Sequence, residues 1–97
     1  MEFSQIKNEL AEKVNTIAPI GKKLKFKLDD NVLLIDGSGN ENVLTEEDVE
    51  ADCTVTMSKE TYVKLQQKKI KPMIATLTGK LKVKGDLGLA RKLKELM

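Results

Sequence analysis

Apolar residues recur along this chain with two periods, and the switching between them outlines the fold. Phe3, Ile6, Leu10, Val14 and Ile17 step by three and four, which predicts an amphipathic helix over residues 2–17. Glu2 suits its first turn, and Pro19 with Gly21 ends it. From Lys22 to Leu28 the step becomes two, so Leu24, Phe26 and Leu28 share one face of a strand and Lys23, Lys25 and Lys27 the other. Asp29, Asp30 and Asn31 carry turn chemistry, joining that strand as a hairpin to Val32, Leu33, Leu34 and Ile35. This second run is apolar on both faces, which predicts a central strand with helices on one side and some other cover opposite. A Gly-Ser-Gly turn follows, then a short third strand over residues 42–45 and an acidic, solvated loop over residues 46–50.

The second half repeats the alternation. Cys53, Val55 and Met57 point to one face of a strand and Thr54, Thr56 and Ser58 to the other. Ser58 can cap the next helix, in which Tyr62, Val63 and Leu65 face inward. Pro72 suits the first turn of a short helix whose Met73, Ile74 and Leu77 recur at helical spacing until Gly79 stops it. Residues 80–84 alternate strictly, placing Leu81 and Val83 inward and three lysines in water. Gly85 breaks the strand, Asp86 caps a last helix, and Leu89, Ala90, Leu93, Leu96 and Met97 fall on one stripe. The sum is a single α+β domain over residues 1–97, with a five-stranded, predominantly antiparallel sheet covered by about four to five helices. Two apolar helices flanking a one-sided strand either fill one another or leave a gap, and periodicity does not distinguish these.

The tract LTGKLKVKGDLGLARKL resembles the C-terminal signature of the sterol carrier protein type 2 family, of the form GK(L/M)K(V/I)xGDxGLAxKL. Residues 51–58 resemble that family's penultimate strand, and Lys71, Pro72 and Met73 its short proline-containing helix. The resemblance implies a sheet and helices that enclose an apolar tunnel for fatty acids, fatty acyl-CoA, sterols or phospholipids. The tunnel walls it implies are Met73, Ile74, Leu77, Leu81, Val83, Leu89, Leu93, Leu96 and Met97, with Val14 and Ile17 closing one end. Plain core packing remains open for each of them.

Composition narrows the chemistry. Only 3% of residues are aromatic against 40% hydrophobic, so aliphatic and methionine side chains build the interior. Histidine is absent and Cys53 is the single cysteine, which leaves no internal disulfide, no zinc or heme site of the usual kind and no Ser-His or Cys-His nucleophile. Neither a metal nor a cofactor is expected, and the chain reads as non-catalytic. The opening residues lack a secretory h-region, and the chain ends Glu95-Leu96-Met97 rather than in the peroxisomal tripeptide of some family members. A cytoplasmic setting is expected. Charge is unevenly spread: residues 28–58 hold nine acids and no base, and residues 59–97 eleven bases and three acids. Lys68, Lys69 and Lys71 are candidates to receive a headgroup or CoA phosphate, with a solvated surface as the plain alternative. With Tyr62 alone available for stacking in the basic half, nucleic acid is not an expected partner.

Two functions fit. The first is binding and transfer of lipids, needing only aliphatic walls, since each buried methylene contributes roughly 0.8 kcal/mol. A charge at Leu77 or Leu93 is then predicted to abolish fatty-acid uptake. The second is an accessory module that docks a lipid-handling enzyme or, transiently, a membrane surface; oligomeric state is left open.

Overall fold

The computed structural model describes residues 2–92 and Leu96. Among these, helix α1 (Phe3–Val14) precedes a meander of β1 (Lys23–Leu28), β2 (Asn31–Asp36) and β3 (Val43–Thr45). Strand β4 (Cys53–Met57), helices α2 (Lys59–Gln66) and α3 (Pro72–Leu77), strand β5 (Leu81–Gly85) and the short helix α4 (Leu87–Ala90) follow. The five strands form one sheet in the order β3-β2-β1-β4-β5. Every pairing is antiparallel except that of β1 with β4, which is parallel from Leu24↔Cys53 to Leu28↔Met57. The sheet is therefore mixed and mostly antiparallel, as the alternation predicts; the direction of β4 is not encoded in it.

One face of the sheet carries the core. Leu24, Phe26 and Leu28 of β1, Leu33 and Ile35 of β2, and Cys53, Val55 and Met57 of β4 are buried there beneath Ile6, Leu10 and Val14 of α1 and Tyr62 and Leu65 of α2. In α2 the expected inward Val63 is only half-buried, and Thr61 is buried instead. Ser58 caps α2 as expected, its hydroxyl accepting from Thr61 N at 3.0 Å. Burial in this aliphatic setting pushes the Cys53 thiol up, so its thiolate is disfavoured.

One correction and one addition concern the first half. Helix α1 ends at Val14, not at residue 17, because Asn42 takes over the carbonyls that would continue it. The Asn42 amide donates to Val14 O at 3.2 Å, Ile17 O at 3.4 Å and Ala18 O at 3.1 Å, and its oxygen accepts from Ile20 N at 3.0 Å. Ile17 is left half-buried beside the core, beyond the helix. The acidic segment after β3 is also tethered, although its side chains are exposed. Asp48 accepts from Lys25 at 2.8 Å and Glu46 from Lys7 at 2.6 Å. Lys25 lies on the sheet face opposite the core, next to the buried Leu34, so this segment supplies the second cover that a doubly apolar β2 requires. The Lys25 ammonium holds the Asp48 carboxyl below the usual carboxylate range.

Tyr62 is linked to Leu96 through Gln66. Its hydroxyl accepts from Gln66 Nε2 at 3.0 Å, and the same amide nitrogen donates to Leu96 O at 3.1 Å, while Lys13 Nζ donates to Gln66 Oε1. Burial pushes the Tyr62 pKa up from 10.0 to about 12. A neutral phenol is thus favoured by the fold, and its contribution is present below about pH 10 and lost as pH rises towards 12. Melting temperature is expected to fall more steeply above pH 10 in the parent than in Tyr62→Phe, measured by circular dichroism. Parallel curves would show that the phenol does not report on folding.

Candidate functional site

The tract from Lys71 to Arg91 builds an apolar cleft. Lys71 is extended, as a residue before proline prefers, and Pro72 opens α3 without losing a hydrogen bond. Thr78 closes the helix, its backbone N–H donating to Ile74 O and its hydroxyl to the same oxygen at 2.9 Å. Strand β5 then runs antiparallel to β4, with Leu81 buried and Val83 half-buried. Asp86 turns the chain into α4 by accepting from Leu89 N at 3.1 Å, and it also accepts from Lys22. The Lys22 bond, with the Leu89 amide, holds the Asp86 carboxyl below the usual carboxylate range.

Between these elements lies a cleft of about 180 Å³. Helix α3 contributes Pro72, Met73 and Thr76, β5 contributes Leu81 and Val83, and the α4 segment contributes Leu87, Ala90 and Arg91. The interior is aliphatic, with one hydroxyl and one guanidinium at its edge. Hollows of about 410 and 450 Å³ lie elsewhere, but they are walled by lysines, threonines and acids and offer little for a hydrocarbon.

The predicted wall residues divide into four groups. Met73, Leu81 and Val83 line the cleft. Val14, Leu89 and Leu96 are buried in the core, and Ile17 packs beside it. Ile74 and Leu77 correct the expectation of an inward stripe: with Met73 they face solvent, and Ala75 alone of α3 is fully buried. At about 100° per residue, Ala75 stands roughly 150° round the helix from the centre of that stripe. A six-residue helix that seats its alanine on the core therefore turns its large residues outward. Leu93 and Met97 lie outside the described residues.

The three candidate lysines are exposed. Lys69 borders a separate depression on α2 with Lys59 and Lys64, Lys68 adopts a left-handed backbone, and Lys71 adjoins the cleft through Pro72. The cation on the cleft itself is Arg91, which the stripe-based reading passed over, as it did Leu87, Ala90 as a liner, and Thr76. Arg91 had one available signal: it is the only arginine in the chain.

The profile of the SCP-2 sterol transfer family matches residues 3–97. The chain belongs to this family. Among curated members of the sterol carrier group, sterol carrier protein 2 of Homo sapiens is 34% identical over 102 residues, covering 97% of this chain and 19% of that protein. Hydroxysteroid dehydrogenase-like protein 2 of Danio rerio is 47% identical over 49 residues, half of this chain and 12% of that protein. The chain thus spans about a fifth or less of the length of these relatives. Among solved structures of SCP-2 domains, the apo form from Yarrowia lipolytica aligns with a TM-score of 0.69 at 22% identity, over 98% of this chain and 77% of that one. The Aedes aegypti sterol carrier protein-2 in complex with palmitate aligns with a TM-score of 0.75 at 19% identity, over 96% and 93% of the two chains. The SCP-2 fold is therefore shared along nearly the whole chain, and no described helix is long and apolar enough to cross a membrane.

Proposed function

We propose that residues 1–97 form one non-catalytic lipid-binding domain that takes an acyl chain into the cleft between α3, β5 and α4. The observation that carries this reading is the aliphatic cleft itself, edged by the Arg91 guanidinium. Each methylene seated against Met73, Leu81, Val83 and Leu87 contributes roughly 0.8 kcal/mol, and a guanidinium can hold a carboxylate or phosphate by two parallel hydrogen bonds. Family membership and the palmitate complex of the Aedes protein agree with a fatty acid or fatty acyl-CoA as the ligand class; sterols and phospholipids belong to the same proposal. A cleft of about 180 Å³ is smaller than the roughly 300–1,000 Å³ of drug-sized pockets, so a long chain enters by parting α3 from α4. Both are short helices, of six and four residues, which suits such movement. Leu89 and Leu96 then form the floor beneath it, and Lys71 assists Arg91 at the headgroup.

The test is uptake of a fluorescent fatty acid by the purified chain, with native mass spectrometry for lipid carried through purification. Leu87→Glu changes an exposed cleft residue and is expected to weaken uptake at least about tenfold with little change in melting temperature. Unaltered uptake in that variant would remove the cleft assignment. A second reading, an accessory module that docks a lipid-handling enzyme, is favoured by the exposed α3 stripe and by the greater length of the relatives. It predicts a bare chain in the mass spectrum that shifts only with a protein partner.

A further inference from the structure

The sheet face opposite the core is dominated by one sign of charge. Strands β1, β4 and β5 lie side by side, and their residues on this face fall in register as two rows, Lys25–Thr54–Lys84 and Lys27–Thr56–Lys82. With strands about 4.8 Å apart, the two lysines of a row flank their threonine at a backbone separation of about 10 Å, and the rows are about 7 Å apart. Lys25, Lys27, Lys84 and both threonines wall the hollow of about 410 Å³. Of the four lysines only Lys25 forms an ion pair among the described residues, with Asp48 at 2.8 Å. Lys27, Lys82 and Lys84 are exposed. An ordinary wet face mixes the two signs, whereas here ammonium groups surround a pair of hydroxyls.

The chain itself shows what this face accepts. The segment after β3 lays the Asp48 carboxylate on Lys25, and the other three ammonium groups are left without such a partner among the described residues. The surroundings narrow the occupant. Residues 46–52 hold five acids beside the face, so a broad anionic plane is repelled there, while a narrow chain laid along β4 and β5 is not. No aromatic side chain among the walls offers a base a stacking partner. An extended peptide, by contrast, repeats its side chains on one side every two residues, about 6.8 Å, which is the spacing of Lys82 and Lys84 along β5. The Thr54 and Thr56 hydroxyls can donate to the same carboxylates. We propose that this face docks an extended acidic segment of a partner protein, its carboxylates at alternate positions seated on Lys82 and Lys84 and flanked by Lys27. Lys82 and Lys84 alternate with the cleft residues Leu81 and Val83, so docking face and cleft lie on opposite sides of the sheet. The docking therefore does not rest on the lipid-carrier reading.

The experiment is fluorescence anisotropy with a labelled peptide that alternates glutamate with serine, set against a peptide of the same composition with its glutamates in one block. The parent chain is expected to bind the alternating peptide more tightly and to release it as salt is raised. Lys82→Gln together with Lys84→Gln should weaken binding about tenfold, roughly threefold for each exposed ion pair, with melting temperature unchanged. Lys64→Gln together with Lys69→Gln removes the same charge from the depression on α2 and should alter binding less than about twofold. In the parent, peptide-induced shifts of backbone amide NMR signals should fall on β4 and β5 and spare α1 and α2. A parent that binds neither peptide overturns the inference, as does equal affinity for the two. Undiminished binding in the β5 double variant, or an equal loss in the α2 control, overturns it as well. So does a single-stranded RNA that binds more tightly than the peptide through the same lysines, which assigns the face to nucleic acid. A parent dimer in sedimentation that the β5 double variant abolishes overturns it too, assigning the face to a second copy.

Discussion

Asn42→Ala is expected to lower the unfolding free energy by roughly 3 kcal/mol, which for a domain of this size moves the melting temperature by about 15 °C. The side chain is buried and serves four backbone groups: the carbonyls of Val14, Ile17 and Ala18 and the N–H of Ile20. Alanine leaves those groups without their partner, and an unsatisfied buried polar group costs about 1–3 kcal/mol. The segment that links α1 to β1 cannot simply shift to recover them, because it is fitted closely to the next turn. A Cβ at Gly37 would lie 2.5 Å from Ile20 Cγ1 and 2.6 Å from Asn42 Oδ1. Urea unfolding of Asn42→Ala and Asn42→Asp separates the two halves of the amide. The aspartate keeps an acceptor for Ile20 and removes the donors, so it should lose less than alanine if the Ile20 bond carries much of the effect. A loss under about 1 kcal/mol for alanine would show that water replaces the amide.

Gly85→Ala should be at least as damaging, with an expected loss of about 4 kcal/mol. Gly85 has φ +105, and a Cβ there would stand 2.4 Å from Asp52 O and 3.2 Å from Cys53 Cα. Those are backbone atoms of Cys53, which pairs with Gly85 at the start of β4, and of the residue before it, and Asp86 N also donates to Asp52 O at 2.9 Å. The only relief is to part the end of β5 from β4, which also displaces the Asp86 cap and α4, and with it the Leu87, Ala90 and Arg91 wall of the cleft. Fatty-acid uptake is therefore expected to fall even at temperatures where the variant remains folded. Gly79→Ala is the control: φ is +77 but nothing lies within 4 Å of the added carbon. It carries backbone strain of about 1–2 kcal/mol without the collision. Equal losses for the two variants, by urea unfolding, would mean that the β4 contact yields.

Most of this architecture was legible from periodicity because strands with one buried face must alternate. Leu24, Phe26 and Leu28, then Cys53, Val55 and Met57, and then Leu81 all lie where the period of two puts them. The tract around GKLKVKGDLGLARKL carries the family resemblance, and the family profile agrees over residues 3–97. Two kinds of information were missing from the pattern. Helical spacing names a stripe but not which way it faces, and in α3 the fit of Ala75 against the core outweighs the apolarity of Met73, Ile74 and Leu77. The second gap is polar capture at a distance. Nothing local to residues 15–18 announces that Asn42 will end α1, and nothing in the acidic run announces that Asp48 will reach Lys25. The same gap hid Arg91, whose place on the cleft depends on how α4 packs against β5.

The parallel pairing of β1 with β4 divides the sheet into two pieces that are each continuous in sequence, β3-β2-β1 on one side and β4-β5 on the other. The first piece zips through tight turns, whereas the seam closes only after the intervening residues 29–52 have been gathered, so it bears the larger loop-closure entropy. The order of assembly follows: the meander can form early and the join along Phe26 and Val55 comes late, while the cleft takes all its walls from the second piece and none from the first.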